Sequence, residues 1–157
     1  MGKIGEQRSE PCVFCEKFTH TLDKEGRLAL PARLREALGE ELKRGLCMTC
    51  GAESCLMAYT HERFAAMLGR LEGDSGISKS VAREFKRALG ERTAVVVPDK
   101  QGRILIPEPL RTVAKLSREV TVVGAVDAIE IWDSAAYERG APGRQAAYER
   151  VASRIFG

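Results

Sequence analysis

The sequence predicts an α+β fold assembled from two copies of one unit, each a strand, a turn, a second strand, a short helix and a hairpin. Three observations carry that prediction. The run Asp23-Lys24-Glu25-Gly26-Arg27-Leu28-Ala29-Leu30-Pro31 returns as Asp99-Lys100-Gln101-Gly102-Arg103-Ile104-Leu105-Ile106-Pro107, an offset of 76, and the match continues to Leu34-Arg35 and Leu110-Arg111. A second block repeats at an offset of 73: Gly51-Ala52 with Leu56, Tyr59 and Phe64 corresponds to Gly124-Ala125 with Ile129, Trp132 and Tyr137. Short apolar runs alternate with polar residues in both copies, the period of half-buried strands. A pattern doubled within one chain is read as two copies of one structural unit.

Each element follows from its residues. Thr19 to Leu22 reads as a strand, and Asp23-Lys24-Glu25-Gly26 closes it into a turn with a hairpin signature. Asp hydrogen-bonds the backbone two residues on, and Gly accepts positive φ. In the return strand, Arg27 to Leu30, Leu28 and Leu30 share one face, as Ile104 and Ile106 do in the second copy. Pro31 and Pro107 fit a helix's first turn, where a missing N–H costs nothing. Leu34, Ala37 and Leu38 give that helix an apolar stripe, matched by Leu110, Val113 and Ala114, and Gly39 is its stop. Hairpins follow from Leu46–Thr49 with Cys55–Tyr59, and from Glu119–Gly124 with Ala128–Trp132.

Between the units, Gly73-Asp74-Ser75-Gly76 reads as a loop, and Ser78 or Ser80 caps a helix running through Leu89. Asp133 or Ser134 caps a short helix that ends near Gly140-Ala141-Pro142-Gly143, and a final helix carries Tyr148, Val151 and Ile155. The expected organisation is an N-terminal extension (1–13), a first repeat (14–64), a helical linker (65–93), a second repeat (94–139) and a C-terminal helix (140–157). Neither half buries its hairpins alone, so the two units are expected to interlock into one barrel-like core with the helices outside it.

Composition narrows the function. The 157 residues carry a net charge of only +3, but Arg outnumbers Lys 17 to 8. The planar Arg fork suits phosphates and base edges, and carboxylates equally. No apolar stretch is long enough to span a membrane. Met1 to Glu10 lack the apolar core of a secretory signal, so the cytoplasm is the expected compartment. No phosphate-cradling Gly loop, nucleophile elbow or metal-hydrolase helix motif is present, so no enzyme, cofactor or small-molecule substrate is expected.

The residues that carry chemistry sit in the twin turns. Arg27 and Arg103 start strands beside tight turns, where they are held stiffly enough to reach a groove of duplex DNA. Lys24 and Lys100 at the turn tips suit its phosphates. Pairing of Arg27 with Asp23, and of Arg103 with Asp99, would pin each turn and is compatible with that role. Arg33, Arg35 and Arg111, with Arg83, Lys86 and Arg87, read as solvated helix faces. His20 has no catalytic neighbour in sequence and reads as structural or as a groove neighbour; His61 reads as exposed or near a cap.

The cysteines offer the alternative: a zinc- or thiol-dependent binding or redox module. Cys12-x-x-Cys15 and Cys47-x-x-Cys50 could supply four thiolates to a tetrahedral zinc. Against it, 31 residues separate the pairs, and Cys47, Cys50 and Cys55 align with Val120, Val123 and Ala128. Packing as small hydrophobes is the expectation, with no metal bound.

At this point the chain resembles a known family. Phe18-Thr19-His20-Thr21-Leu22-Asp23-Lys24-Glu25-Gly26-Arg27 resembles the opening of the MraZ family. Asp99-Lys100-Gln101-Gly102-Arg103 is similar to its second Asp-x-x-x-Arg motif, and Ile129-Glu130-Ile131-Trp132 to the strand closing its second repeat. The similarity covers Val13 to Gly157. It implies a tandem AbrB-like swapped-hairpin β-barrel and a ring-shaped homo-oligomer. It also implies a nucleoid-associated, sequence-specific regulator of transcription that engages direct repeats in promoter DNA of the division and cell-wall gene cluster.

Overall fold

Each unit keeps its own hairpin, but its first two strands pair with strands of the other unit. The computed structural model describes residues 13–157. Cys12, and with it half of the first Cys-x-x-Cys pair, lies outside the described residues. The strands are β1 (Lys17–Thr21), β2 (Arg27–Ala29), β3 (Leu46–Cys50) and β4 (Leu56–Tyr59) in the first unit, and β5 (Thr93–Val96), β6 (Arg103–Leu105), β7 (Glu119–Gly124) and β8 (Ile129–Asp133) in the second. Six of them form one antiparallel sheet in the order β1-β7-β8-β4-β3-β5. The hairpins β3–β4 and β7–β8 form as the sequence predicts. β1 of the first unit lies against β7 of the second, with Phe18 opposite Val122. Reciprocally, β5 of the second unit lies against β3 of the first, with Met48 opposite Ala94.

The two remaining strands, β2 and β6, pair with each other as a separate two-stranded ribbon, Leu28 opposite Ile104. This corrects the hairpin reading of Asp23–Gly26. The turn closes locally, with Asp23 N–H donating to the Arg27 carbonyl at 3.1 Å and Gly26 N–H to the Asp23 carbonyl at 3.0 Å. Beyond it β1 and β2 part into different sheets. A turn fixes only its own backbone bonds; the partners further on are chosen by which apolar faces find cover.

Those faces are the ones the alternation picks out. Leu28, Ile104 and Ile106 are fully buried, and Leu30 nearly so. They meet Leu34 and Leu110 from α1 (Ala32–Leu38) and α4 (Glu108–Val113), and Leu46, Met48, Leu56, Val120, Val122, Ile129 and Ile131 from the large sheet. Each such side chain removed from water contributes about 1.5–3 kcal/mol. Pro31 and Pro107 stand at the N-caps of α1 and α4, and Gly39 ends α1 at φ 55°. A 3-10 segment, Gly39–Arg44, then leads into β3.

The remaining helices are α2 (His61–Glu72), α3 (Lys79–Glu91), α5 (Ser134–Arg139) and α6 (Ala141–Phe156). Thr60, Ser78 and Asp133 cap α2, α3 and α5 by accepting backbone N–H bonds from Arg63, Val81 and Ala136. α2 begins at His61 and ends at Glu72. α6 starts at Ala141 and runs through Pro142 and Gly143, where a break is expected; a proline in the first helical turn loses no hydrogen bond. α2, α3 and α6 contribute no buried residue.

Candidate nucleic-acid interface

The two signature turns are built alike. Asp23 Oδ1 accepts the backbone N–H groups of Glu25 at 2.9 Å and Arg27 at 2.8 Å. Asp99 Oδ1 accepts those of Gln101 at 2.9 Å and Arg103 at 3.0 Å. Gly26 and Gly102 close the turns at φ 92° and 77°, a region that side-chain-bearing residues rarely enter. The Arg27 N–H, chief among several backbone donors, holds the Asp23 carboxyl below its ordinary pKa; the Arg103 N–H does the same for Asp99. Each arginine also pairs with carboxylates of its own turn, closely in the second copy and loosely in the first. Arg103 Nε lies 3.0 Å from Asp99 Oδ2, while Arg27 Nη1 lies 3.7 Å from Asp23 Oδ2 and 3.3 Å from Glu25. Such solvent-screened pairs add little stability, so their value is in aiming the side chain.

The β2–β6 ribbon then brings the two motifs together. Arg27 stands opposite Leu105, and Arg103 opposite Ala29. Directly paired residues share a face, so Arg27, Ala29, Arg103 and Leu105 form the outer side of the ribbon while Leu28 and Ile104 are buried beneath it. Ala29 and Leu105 are exposed. Because the strands are antiparallel, the two turns, with exposed Lys24 and Lys100, lie at opposite ends of the ribbon. All four predicted site residues therefore belong to one continuous surface.

Arg35 and Arg111 are more than a solvated helix face. Arg111 Nε donates to the Ile106 carbonyl at 2.9 Å, and Arg35 Nε to the Leu30 carbonyl at 3.1 Å. Each guanidinium also lies across the other unit's turn. A Cβ at Gly26 would sit 2.5 Å from Arg111 Nε, and one at Gly102 would sit 3.2 Å from Arg35 Nε. These arginines lock the ribbon ends across the units. Their signal in the sequence is the extension of the 76-residue repeat to both positions. Arg33 pairs with Glu16 at 3.1 Å, Lys86 with Glu72 at 2.9 Å and Arg87 with Glu84, all exposed.

Beside the first turn a cleft of about 750 Å³ opens, lined in part by Lys24, Arg111, Lys115 and Arg118. Lys115 and Arg118 did not stand out in the sequence. A two-stranded antiparallel ribbon fits the major groove of B-DNA, where an arginine reaches the acceptors on guanine. Neither histidine joins this surface chemically. His20 is half-buried on β1, and His61 Nε2 contacts the Arg44 carbonyl at 3.1 Å.

The cysteines do not converge. Cys47 and Cys50 are three apart on β3, and a strand's period of two sends them to opposite faces. Cys47 and Cys55 are buried, Cys50 is half-buried and Cys15 is exposed. Among the described residues no three His, Cys, Asp or Glu side chains group to hold a metal ion. Burial pushes the Cys55 thiol up to about 12, helped by the nearby carboxylates of Glu130 and Glu53. Iodoacetamide at about pH 8, well below that value, should therefore modify Cys15 and leave Cys55 protected. Peptide mass spectrometry showing both labelled at one rate would contradict the buried assignment.

The family model described as "MraZ protein, putative antitoxin-like" matches residues 13–88 and 91–154. A Cutibacterium acnes protein named "Transcriptional regulator MraZ" is 36% identical over 144 residues, covering 92% of this chain and 98% of that protein. Proteins of the same name are similar in Micrococcus luteus, 37% identical over 139 residues (88% and 94% covered), and in Lactiplantibacillus plantarum, 38% over 120 residues (76% and 82% covered).

Proposed function

The chain belongs to the MraZ family, and on that premise we propose that it is a DNA-binding regulator of transcription that reads duplex DNA through the β2–β6 ribbon. The observation that carries this reading is the pairing of both Asp-x-x-x-Arg motifs on one exposed face. Arg27 and Arg103 reach base edges, each aimed by its aspartate, while Lys24 and Lys100 meet phosphates on either side. The chain acts by binding, without cofactor, metal or small-molecule substrate, in the cytoplasm at the nucleoid. Among the described residues no helix is long and apolar enough to cross a membrane.

The architecture that fits is the swapped-hairpin barrel, supported by the exchanged strand pairings, with repeats at 14–64 and 94–139 joined by the helical linker. The assembly is a ring-shaped homo-oligomer. Its support is the apolar surface left uncovered on the outer helices: Val81 and Phe85 on α3, and Tyr148, Val151, Ile155 and Phe156 on α6, are all exposed. Successive protomers then engage direct repeats in promoter DNA of the division and cell-wall cluster, and weak single contacts gain from avidity.

Two measurements test this. Light scattering should return a mass several times that of the 17.2 kDa chain. The same protein should shift the DNA upstream of its own gene in a salt-sensitive way and prefer it over scrambled DNA. A monodisperse monomer would refute the ring, and equal binding to both duplexes would refute sequence-specific regulation.

A further inference from the structure

We propose that the cleft beside the first turn is a clamp for a DNA backbone phosphate, and that the pseudo-equivalent surface beside the second turn is not. The proposal rests on the DNA-binding reading above and deepens it by making the two ends of the ribbon unequal.

The cleft is walled by the turn, by α4 and by the segment leading into β7. Lys24, Arg111, Lys115 and Arg118 face two carboxylates there, those of Asp23 and Glu108. Asp23 is already engaged by two backbone N–H groups and Arg27. Among the described residues Lys24, Lys115 and Arg118 enter no ion pair. Arg111 gives its Nε–H to the Ile106 carbonyl, which fixes the guanidinium and leaves its other donors for a ligand. Four cations around one unengaged carboxylate suit a phosphodiester.

Lys115 supplies a second, independent observation. It is held at φ 53°, at the end of α4, where Lys115 N–H donates to the Thr112 carbonyl and Leu116 N–H to the Arg111 carbonyl, each at 3.0 Å. A positive φ favours glycine, and the residue at the corresponding place in the first unit is Gly39, also at positive φ, 55°. A lysine thus takes a conformation that favours glycine at a helix end that lines the basic cleft.

The second turn lacks these features. Its surroundings carry Arg35 in place of Arg111, Glu36 in place of Thr112 and Gly39 in place of Lys115. Lys43 and Arg44, which precede β3, are tied to Glu40 at 3.0 Å and Glu41 at 3.5 Å. The ribbon therefore grips the duplex harder at the Lys24 end. Unequal ends give it a direction along DNA, as head-to-tail repeats require.

The test titrates the intact protein into a fluorescent duplex of its own upstream DNA, and into a scrambled duplex, from about 50 to 200 mM salt. The variant Lys115→Gly/Arg118→Gln should bind both duplexes roughly 10- to 100-fold more weakly. Its log–log salt slope should be shallower by about one per cation removed, with the preference between duplexes unchanged. Glycine suits φ 53°, so this variant should melt no lower than the parent. Lys43→Gln/Arg44→Gln should leave the slope where it was. A parent that binds while the cleft variant matches its affinity and slope would overturn the clamp alone. An equal loss in the Lys43/Arg44 variant would overturn the asymmetry. A parent that binds neither duplex would overturn the DNA-binding reading and the clamp together.

Discussion

Replacing both Arg27 and Arg103 by alanine should weaken binding to cognate DNA roughly a hundredfold or more while leaving the thermal transition nearly unmoved. A side chain that reads a base contributes about 1–3 kcal/mol to discrimination, and the two arginines act on separate bases, so their losses should be close to additive. The fold is spared because the aspartates hold the turns through backbone N–H groups, which alanine retains. The arginine side chains lie on the outer face and do not belong to the hydrophobic core. Asp23→Ala is the informative contrast: it removes the acceptor of two N–H bonds and should loosen the turn itself. The expected signature of the double arginine variant is weakened binding with the cognate-over-scrambled preference gone. Cognate affinity equal to the parent's, by gel shift or anisotropy, would show that the ribbon does not read bases.

The largest effect on stability should come from Gly124→Ala. A Cβ there would collide with the Cys15 backbone nitrogen and lie 2.5 Å from its carbonyl oxygen. Residues 14–16 approach β7 at this point. Phe14 bridges to Val126, Glu16 accepts the Gly124 N–H at 2.8 Å, and Glu16 and Val126 both take positive φ. Backbone cannot step aside as a side chain can, so the cost should reach about 3 kcal/mol. For a chain of this size that is a fall in Tm of roughly 6–12 °C. Gly51→Ala, at the matching place in the first unit, meets side chains alone, Met57 at 3.0 Å and Cys55 Sγ at 3.6 Å, and should cost far less. Calorimetry showing equal shifts for the two variants would contradict the close approach of Cys15 to Gly124.

The contrast between these glycines illustrates what the sequence could and could not reveal. Local features were legible because local chemistry decides them: the caps at Ser78 and Asp133, the apolar faces of Leu28 and Ile104, the two hairpins, the twin turns. The exchange of β1 and β5 was implied only by the family resemblance, since a turn such as Asp23–Gly26 looks the same whether its strands pair or part. Within the site, Arg27 and Arg103 announced themselves by repetition. Arg35 and Arg111 repeat as well, but a helix-face arginine carries no mark of the turn it will cover. Lys115 and Arg118 were invisible for the opposite reason. They break the repeat, and their meaning depends on a fold that carries the segment after α4 past the first turn.

The exchange of strands also shapes how the chain can be made. As it leaves the ribosome, β1 has no partner until β7 appears, about a hundred residues later, and β2 must wait for β6. The hairpin β3–β4 can form early, but the sheet edge that β5 will occupy stays bare in the meantime. Contacts between residues so distant in sequence form slowly, and unpaired strand edges attract other chains. A nascent first half therefore spends its time as an incomplete sheet. Its hazard is pairing with the second half of a neighbouring chain, since the first unit's turn and β2 meet the same partners whether those come from their own polypeptide or another.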